Sequence, residues 1–203
     1  MKIVVIGASG IIGSAVAAAL EKEHEVVRAS RRGPVRVDMN DTASIDALFA
    51  SVPDVDAVVC CAAGAPLTPL DSGPGVDVED VVRPKLFGQV HLVRCAVRYL
   101  RDGGSATLTG GVFERPMAGG ALGAMVNAGL EAFVAGAAIE MPRGLRLNVV
   151  SPGWVAETLE SLGMDASEGT PVGEVVKDYV AAVEGADQGR TFRPSRPTGL
   201  SIE

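Results

Sequence analysis

A doubly wound α/β domain, one parallel sheet with helices on both faces, is the fold this 203-residue chain predicts, and three observations carry it. Short runs rich in β-branched residues alternate with stretches of helical periodicity along the whole sequence. Apolar residues make up 47% of the chain, with few aromatics and 25 glycines, a mix that lets helices pack closely on a buried sheet. No linker or internal repeat divides the chain, and its length suits a single domain, 1–203, of about seven strands.

Taken in order, the first strand, 2–7, feeds "GASGIIG" and a helix over 11–22. Strands at 25–30 and 35–39 follow, then a helix at 42–51 capped by Asp41 or Thr42, with Ile45, Leu48 and Phe49 as its apolar stripe. A fourth strand, 56–62, runs into a loop at 64–78 rich in Pro, Gly and Asp. Helix 80–101, strand 105–110, helix 118–141 and strand 145–151 continue the alternation, which implies parallel βαβ units with right-handed crossovers. A loop at 163–171, a helix at 172–184 and a final strand within 189–194 complete it, with 153–187 read as a substrate-loop and C-terminal helix region. In such sheets ligands sit at the carboxyl ends of the strands.

Composition removes several classes of function. Acidic residues outnumber basic ones, 25 to 18, for a charge of −7, and no basic stripe is interleaved with aromatics, so nucleic acid is not an expected partner. Cys60, Cys61 and Cys95 show no paired spacing and only two histidines accompany them, which argues against a disulfide framework or a zinc site. Charged or turn-forming residues interrupt the apolar runs, so no membrane span is expected and a soluble, cytoplasmic protein is predicted. Lys2 and "AVAAAL" imitate a secretion signal, but the glycines inside the apolar run speak against that reading.

Gly7, Gly10 and Gly13 fall after a predicted strand and lead into a predicted helix, the context in which glycines form a phosphate cradle. They allow a tight turn and close approach, while unpaired N–H groups and the helix dipole attract a pyrophosphate. Ser9 and Ile12 belong to the same turn. The alternative is a tight turn that merely packs helix on sheet. At the end of the second strand, where a carboxylate would favour a bare ribose, "ASRRG" offers Ser30, Arg31 and Arg32. A hydroxyl and two guanidinium groups suit a 2′-phosphate, so NADP(H) is expected over NAD(H), unless the arginines only decorate a solvated loop.

In order along nearly the whole chain, "GASGIIG", Asp38 with Met39, "CAAG" at 61–64 and "RLNVVSPGWVAET" at 146–158 resemble the landmarks of the short-chain dehydrogenase/reductase family. The resemblance implies a Rossmann-type sheet, with Asp38 and Met39 at the adenine. It also places Cys61, Ala62, Ala63 and Gly64 where the family carries Asn-Asn-Ala-Gly, and Pro152, Gly153 and Val155 at the nicotinamide. Family reductases rely on Ser, Tyr, Lys and Asn, and all four positions are changed here: Gly110, Gly123, Asn127 and Lys85 stand at them. The thirteen residues from Gly110 to Gly123 are close to the family's serine-to-tyrosine interval.

A ketone that gains hydride must also gain a proton, which the family takes from a phenol whose pKa a lysine lowers; Gly123 cannot supply one. Tyr99 and Tyr179 lie at the end of one helix and within the C-terminal helix, neither an evident substitute. Thr109 is the remaining hydroxyl after the fifth strand, too weak an acid to act alone. Lys and Asn look exchanged: Lys85 is expected near the nicotinamide ribose with Asn127 bonding the sugar or a water, the alternative being a solvated helix lysine. His24 and His91 read as surface or interface residues, and Glu114 with Arg115 as a solvated loop pair. Trp154 and loop 155–171 are expected to cover the pocket.

Small residues crowd helix 118–141, and the resemblance implies a dimer seam there, hence a homodimer or homotetramer. The sequence therefore predicts an NADP(H)-binding oxidoreductase acting on a small carbonyl or alcohol with an atypical active site. The alternative is an inactive NADP(H)-binding sensor or oligomer partner.

Overall fold

The central strand β1 (Lys2–Ile6) sends its side chains into two separate cores. Successive strand residues point to opposite faces, so Val4 and Ile6 join one apolar cluster while Ile3 and Val5 join the other. The computed structural model describes residues 1–62, 64, 67–71 and 77–196. Around β1 stand β2 (Glu25–Ser30), β3 (Val35–Arg36), β4 (Ala57–Cys60), β5 (Ser105–Thr109), β6 (Arg146–Val150) and β7 (Thr191–Phe192), all parallel, in the order β3-β2-β1-β4-β5-β6-β7.

Helices α1 (Ile11–Leu20) and α7 (Val172–Glu184) cover one face, with Val16, Leu20, Val175 and Tyr179 in its core. On the other face α2 (Thr42–Ser51), α4 (Gly88–Tyr99) and α5 (Ala121–Ala137) bring Ile45, Leu48, Leu92, Val126 and Leu130. Strand order reverses between β1 and β4, which end side by side at Ile6 and Cys60; the crevice this leaves is where an open α/β sheet holds its ligand. Asp41 caps α2, its carboxylate accepting from Ala43 N at 2.9 Å.

Four elements differ from the sequence reading. Helix 80–101 is broken into α3 (Val78–Val82), a π-turn at Arg83–Phe87, and α4. Pro84 has no amide hydrogen to continue an α-helical ladder, and the Gly88 N–H reaches back five residues to Arg83 O. The third strand stops at Arg36, because the Asp38 N–H donates to Ser44 Oγ of α2 instead of to the sheet. Loop 155–171 contains α6 (Ala156–Ser161) and a 3₁₀ turn capped by Asp165, and its ends pair as Val155 with Thr170. Finally, Ala121–Glu140 is a 20-residue run of mean hydropathy 1.5, long and apolar enough by composition to cross a membrane, where no such run was expected. In the fold its Val126, Leu130 and Val134 are buried against the sheet, as in the core helix of a globular domain.

Candidate functional site

Two cavities open at the carboxyl ends of β1 and β4 and share Cys61 and Gly64. The first, about 430 Å³, is floored by the glycine turn: Gly7, Ser9 and Gly10 line it. Gly7 sits at φ +81°, a conformation L side chains rarely adopt, and a Cβ there would stand 2.9 Å from the Cys61 carbonyl carbon. A Cβ on Gly10 would meet only Gly7 O, at 3.4 Å, and no side chain caps α1. The helix start therefore presents uncapped amides between the cavities, with Gly10 facing the first and Ile12 the second.

Ser30 and Arg31 line the far end of the first cavity with Asp38, Met39 and Asn40, and Ala62 closes it on the β4 side. Asp38 is the acidic residue of that lining, and its Oδ1 is engaged by the Asn40 backbone and side-chain amides at 3.0 and 3.3 Å. Gly13 and Arg32, both read as cofactor residues, are absent from either lining. Gly13 is a packing residue: a Cβ on it would fall 2.1 Å from Gly7 O, so glycine is what lets α1 close on the turn. Arg32 follows Arg31 on the exposed turn after β2. Ala63 lies outside the described residues.

The second cavity, about 200 Å³, gathers Lys85, Thr109 and Asn127 with Pro152, Gly153 and Val155. The Lys85 and Asn127 expected to face one pocket do line the same one. Lys85 is 7% exposed, and its ammonium donates to Gly110 O at 3.0 Å, its one protein partner among the described residues. Burial pushes its pKa down to about 8, and coupling to the titratable Cys60 thiol offsets this only in part. Asn127, also 7% exposed, has an Oδ1 with no hydrogen-bond partner.

Gln89, which the sequence reading passed over, fixes this arrangement. Fully buried on α4, it donates to Lys85 O at 2.9 Å and to Thr109 O at 3.0 Å, and accepts from Thr109 N at 2.9 Å. The π-turn leaves carbonyls outside an α-helical ladder, and Gln89 satisfies one while stitching the turn to β5. Its sequence signal was slight: a polar residue four places after Lys85, on the same helical face.

Thr109 is committed elsewhere. Its hydroxyl donates to Cys60 O at 2.5 Å, so at its 2.6 Å contact with Tyr179 the phenol must be the donor. Tyr179 thus comes closer to the site than its place in the C-terminal helix suggested, yet it is fully buried, its pKa raised by desolvation and its proton spent inside the wall. Cys61, beside this pair, is likewise held as a thiol by burial.

Gly123, which the sequence reading sets at the family's tyrosine, lines the same cavity. A Cβ on Gly110 would stand 2.5 Å from Ser151 Oγ, a fully buried hydroxyl without a partner.

Glu114 and Arg115 are exposed, as a solvated loop pair would be, and border a third cavity of about 520 Å³ with Glu168 and Arg193. Phe113 and Trp154, ring centroids 6.3 Å apart, line both it and the second cavity. Away from the site, His24 bonds Glu184 at 2.9 Å. Asp46, His91 and Cys95 place ligand-type atoms within 4.8 Å of one another, a grouping the sequence did not suggest. Arg98 donates to Asp46 and to the Cys95 sulfur, the Cys95 thiol donates to Asp46 and its pKa is pushed up to about 11 by burial, while His91 Nε2, 3.6 Å from Asp46 Oδ2, makes no hydrogen bond among the described residues.

A family model described as enoyl-(acyl carrier protein) reductase matches residues 6–177. Among solved structures, the protein lin1944 from Listeria innocua is 38% identical with a TM-score of 0.90, over 96% of this chain and 100% of its own. A small-chain dehydrogenase in complex with NADPH is 26% identical, TM-score 0.82, over 95% of each chain. A short chain dehydrogenase from Mycobacterium smegmatis, 23% identical with a TM-score of 0.80 over 98% of this chain and 92% of its own, shares the fold. No curated protein matches significantly.

Proposed function

This chain belongs to the short-chain dehydrogenase/reductase family, and from that premise we propose that it is an NADP(H)-dependent oxidoreductase acting on a small carbonyl or alcohol. The observation that carries the reading is the continuity of the two cavities: a backbone cradle with Ser30 and Arg31 at one end opens, through Cys61 and Gly64, onto Lys85 and Asn127 at the other. A dinucleotide fits this donor set. Gly7, Ser9 and Gly10 would hold its pyrophosphate against the uncapped start of α1. Asp38 and Met39 would border the adenine, and Ser30 and Arg31 the 2′-phosphate.

When bound, the cofactor supplies a hydride. Around it, Ile12, Pro152, Gly153 and Val155 would seat the nicotinamide end, and Phe113 with Trp154 would exclude water from the substrate. Relatedness to a protein solved with NADPH supports the same choice of cofactor. The reading includes self-association, supported by apolar side chains left exposed at Phe87, Met125 and Ile139. A second reading, a binding protein without turnover, is favoured by one observation: glycines stand at the serine and tyrosine positions.

Titration with NADPH and with NADH, followed by nicotinamide fluorescence, tests the cofactor. Binding of NADPH at least tenfold tighter than NADH is expected; binding of neither overturns the reading. A panel of small aldehydes and ketones then separates the two functions, since an enzyme oxidises NADPH with some member and a sensor leaves it intact.

A further inference from the structure

Resting on the oxidoreductase reading, we propose that Lys85 is the proton donor to the substrate carbonyl oxygen. It would take the role that the missing phenol leaves open.

Lysine is almost never buried without a partner of opposite charge. The described lining of the second cavity nevertheless holds no acidic residue, and Lys85 is its only ionised group. One of its hydrogens goes to Gly110 O and the other two have no acceptor among the described residues. The position is built: the π-turn carries Lys85 inward, and Gln89 anchors that turn to β5. Gly123 lines the same cavity. Asn127 Oδ1, buried and unpartnered in the same cavity, awaits a hydrogen from a ligand or water.

Elimination points to the same atom. The Thr109 and Tyr179 hydroxyls are spent on Cys60 O and on each other, and burial holds Cys61 as a thiol. Of the elements packed against the π-turn, α5 presents Asn127, α4 presents Gln89, and the Glu79 carboxylate of α3 is paired with Arg83 at the surface. Cys60 from β4 is the titratable neighbour of Lys85, and burial raises its pKa to about 12 and keeps it a neutral thiol. Burial also brings Lys85 to about 8, near the optimum for an acid working at neutral pH.

The step balances. With hydride taken up from the reduced dinucleotide, the carbonyl carbon gains a C–H bond and its π pair moves to oxygen. That oxygen takes a proton as one Nζ–H bond of Lys85 breaks, giving the alcohol. Water then reprotonates the neutral amine.

Four lysines, Lys2, Lys22, Lys85 and Lys177, make the test direct. In protein labelled with ε-¹³C lysine, the Lys85 signal, assigned through Lys85→Met, is expected to titrate at about 8, well below the 10.5 of an ordinary lysine. At saturating NADPH, reduction of the aldehyde and ketone panel is expected to fall above about pH 8 and to drop at least ~100-fold in Lys85→Met and Lys85→Arg. Three results overturn the proposal: co-titration of Lys85 with the other lysines; a Lys85→Met that weakens NADPH binding yet keeps its kcat, which would make Lys85 a ribose contact; or a wild type that binds NADPH and reduces nothing. A wild type that binds no NADPH brings down the cofactor reading and this proposal with it, whereas the other failures leave that reading standing.

Discussion

Two cavities meet at Cys61 and Gly64, and they are built by opposite means. The first is shaped by backbone: a glycine at positive φ, an uncapped helix start, and the ends of neighbouring strands. The second is shaped by side chains carried in from α1, the π-turn, β5, α5 and α6. A backbone cradle depends on a few small residues at fixed spacing, and it persists while the side chains around it change. A cavity made of side chains can change its chemistry through single substitutions with no change of fold.

The largest effect should follow from breaking the backbone end. In Gly13→Val the new Cβ would fall about 2.1 Å from Gly7 O, so α1 must move off the turn. A loss of about 3 kcal/mol in denaturant unfolding is expected, together with loss of NADPH binding. An unaltered midpoint would mean that the turn is not the rigid element described here.

At the side-chain end the expected sign is reversed. The folded-state pKa of Lys85 lies at about 8, below its ordinary 10.5, so its charge opposes folding fully below pH 8 and the penalty disappears as pH rises past 10.5. Lys85→Met should therefore stabilise the protein at pH 7 by about 2 kcal/mol, after allowance for the lost bond to Gly110 O. Thermal unfolding at pH 7 and at pH 10.5 reads this directly: a gain confined to the lower pH supports it, and a destabilised variant contradicts it. Such a gain on removal is expected of a residue kept for chemistry rather than for stability.

The smallest effect sharpens the boundary of the first cavity. Arg31 lines it and Arg32 does not, so Arg31→Ala should weaken NADPH about tenfold while Arg32→Ala changes it less than about twofold. NADH binding should be unmoved in both. Equal losses would extend the phosphate site to the whole "SRR" turn.

Legibility followed the same division. "GASGIIG" and the alternation of β-branched runs with helices sufficed for the sheet and the cradle, because strand periodicity and glycine conformation are local properties. The exchange of Lys85 and Asn127 was legible as two positions, but their sharing of one cavity required the sheet to bring α5 and the π-turn together. Gln89 was missed because a buried glutamine in a helix reads like any other polar residue until its partners, Lys85 O and Thr109 O, are in place. Tyr179 was set aside on its place within the C-terminal helix, and only the fold brings it to the Thr109 hydroxyl, 70 residues away in sequence.

Sequence by itself determined the parallel doubly wound domain, the glycine turn, and glycines at 110 and 123, where the resemblance expects serine and tyrosine, since each depends on residue type at a fixed local spacing. Only the tertiary structure decided that Lys85 is buried with no acidic partner among the described residues, that Thr109 and Tyr179 spend their protons on the wall, and that Gly13 lets α1 close on the turn. Those outcomes depend on desolvation and on which atoms meet across the sheet, and neither exists until distant segments are packed together.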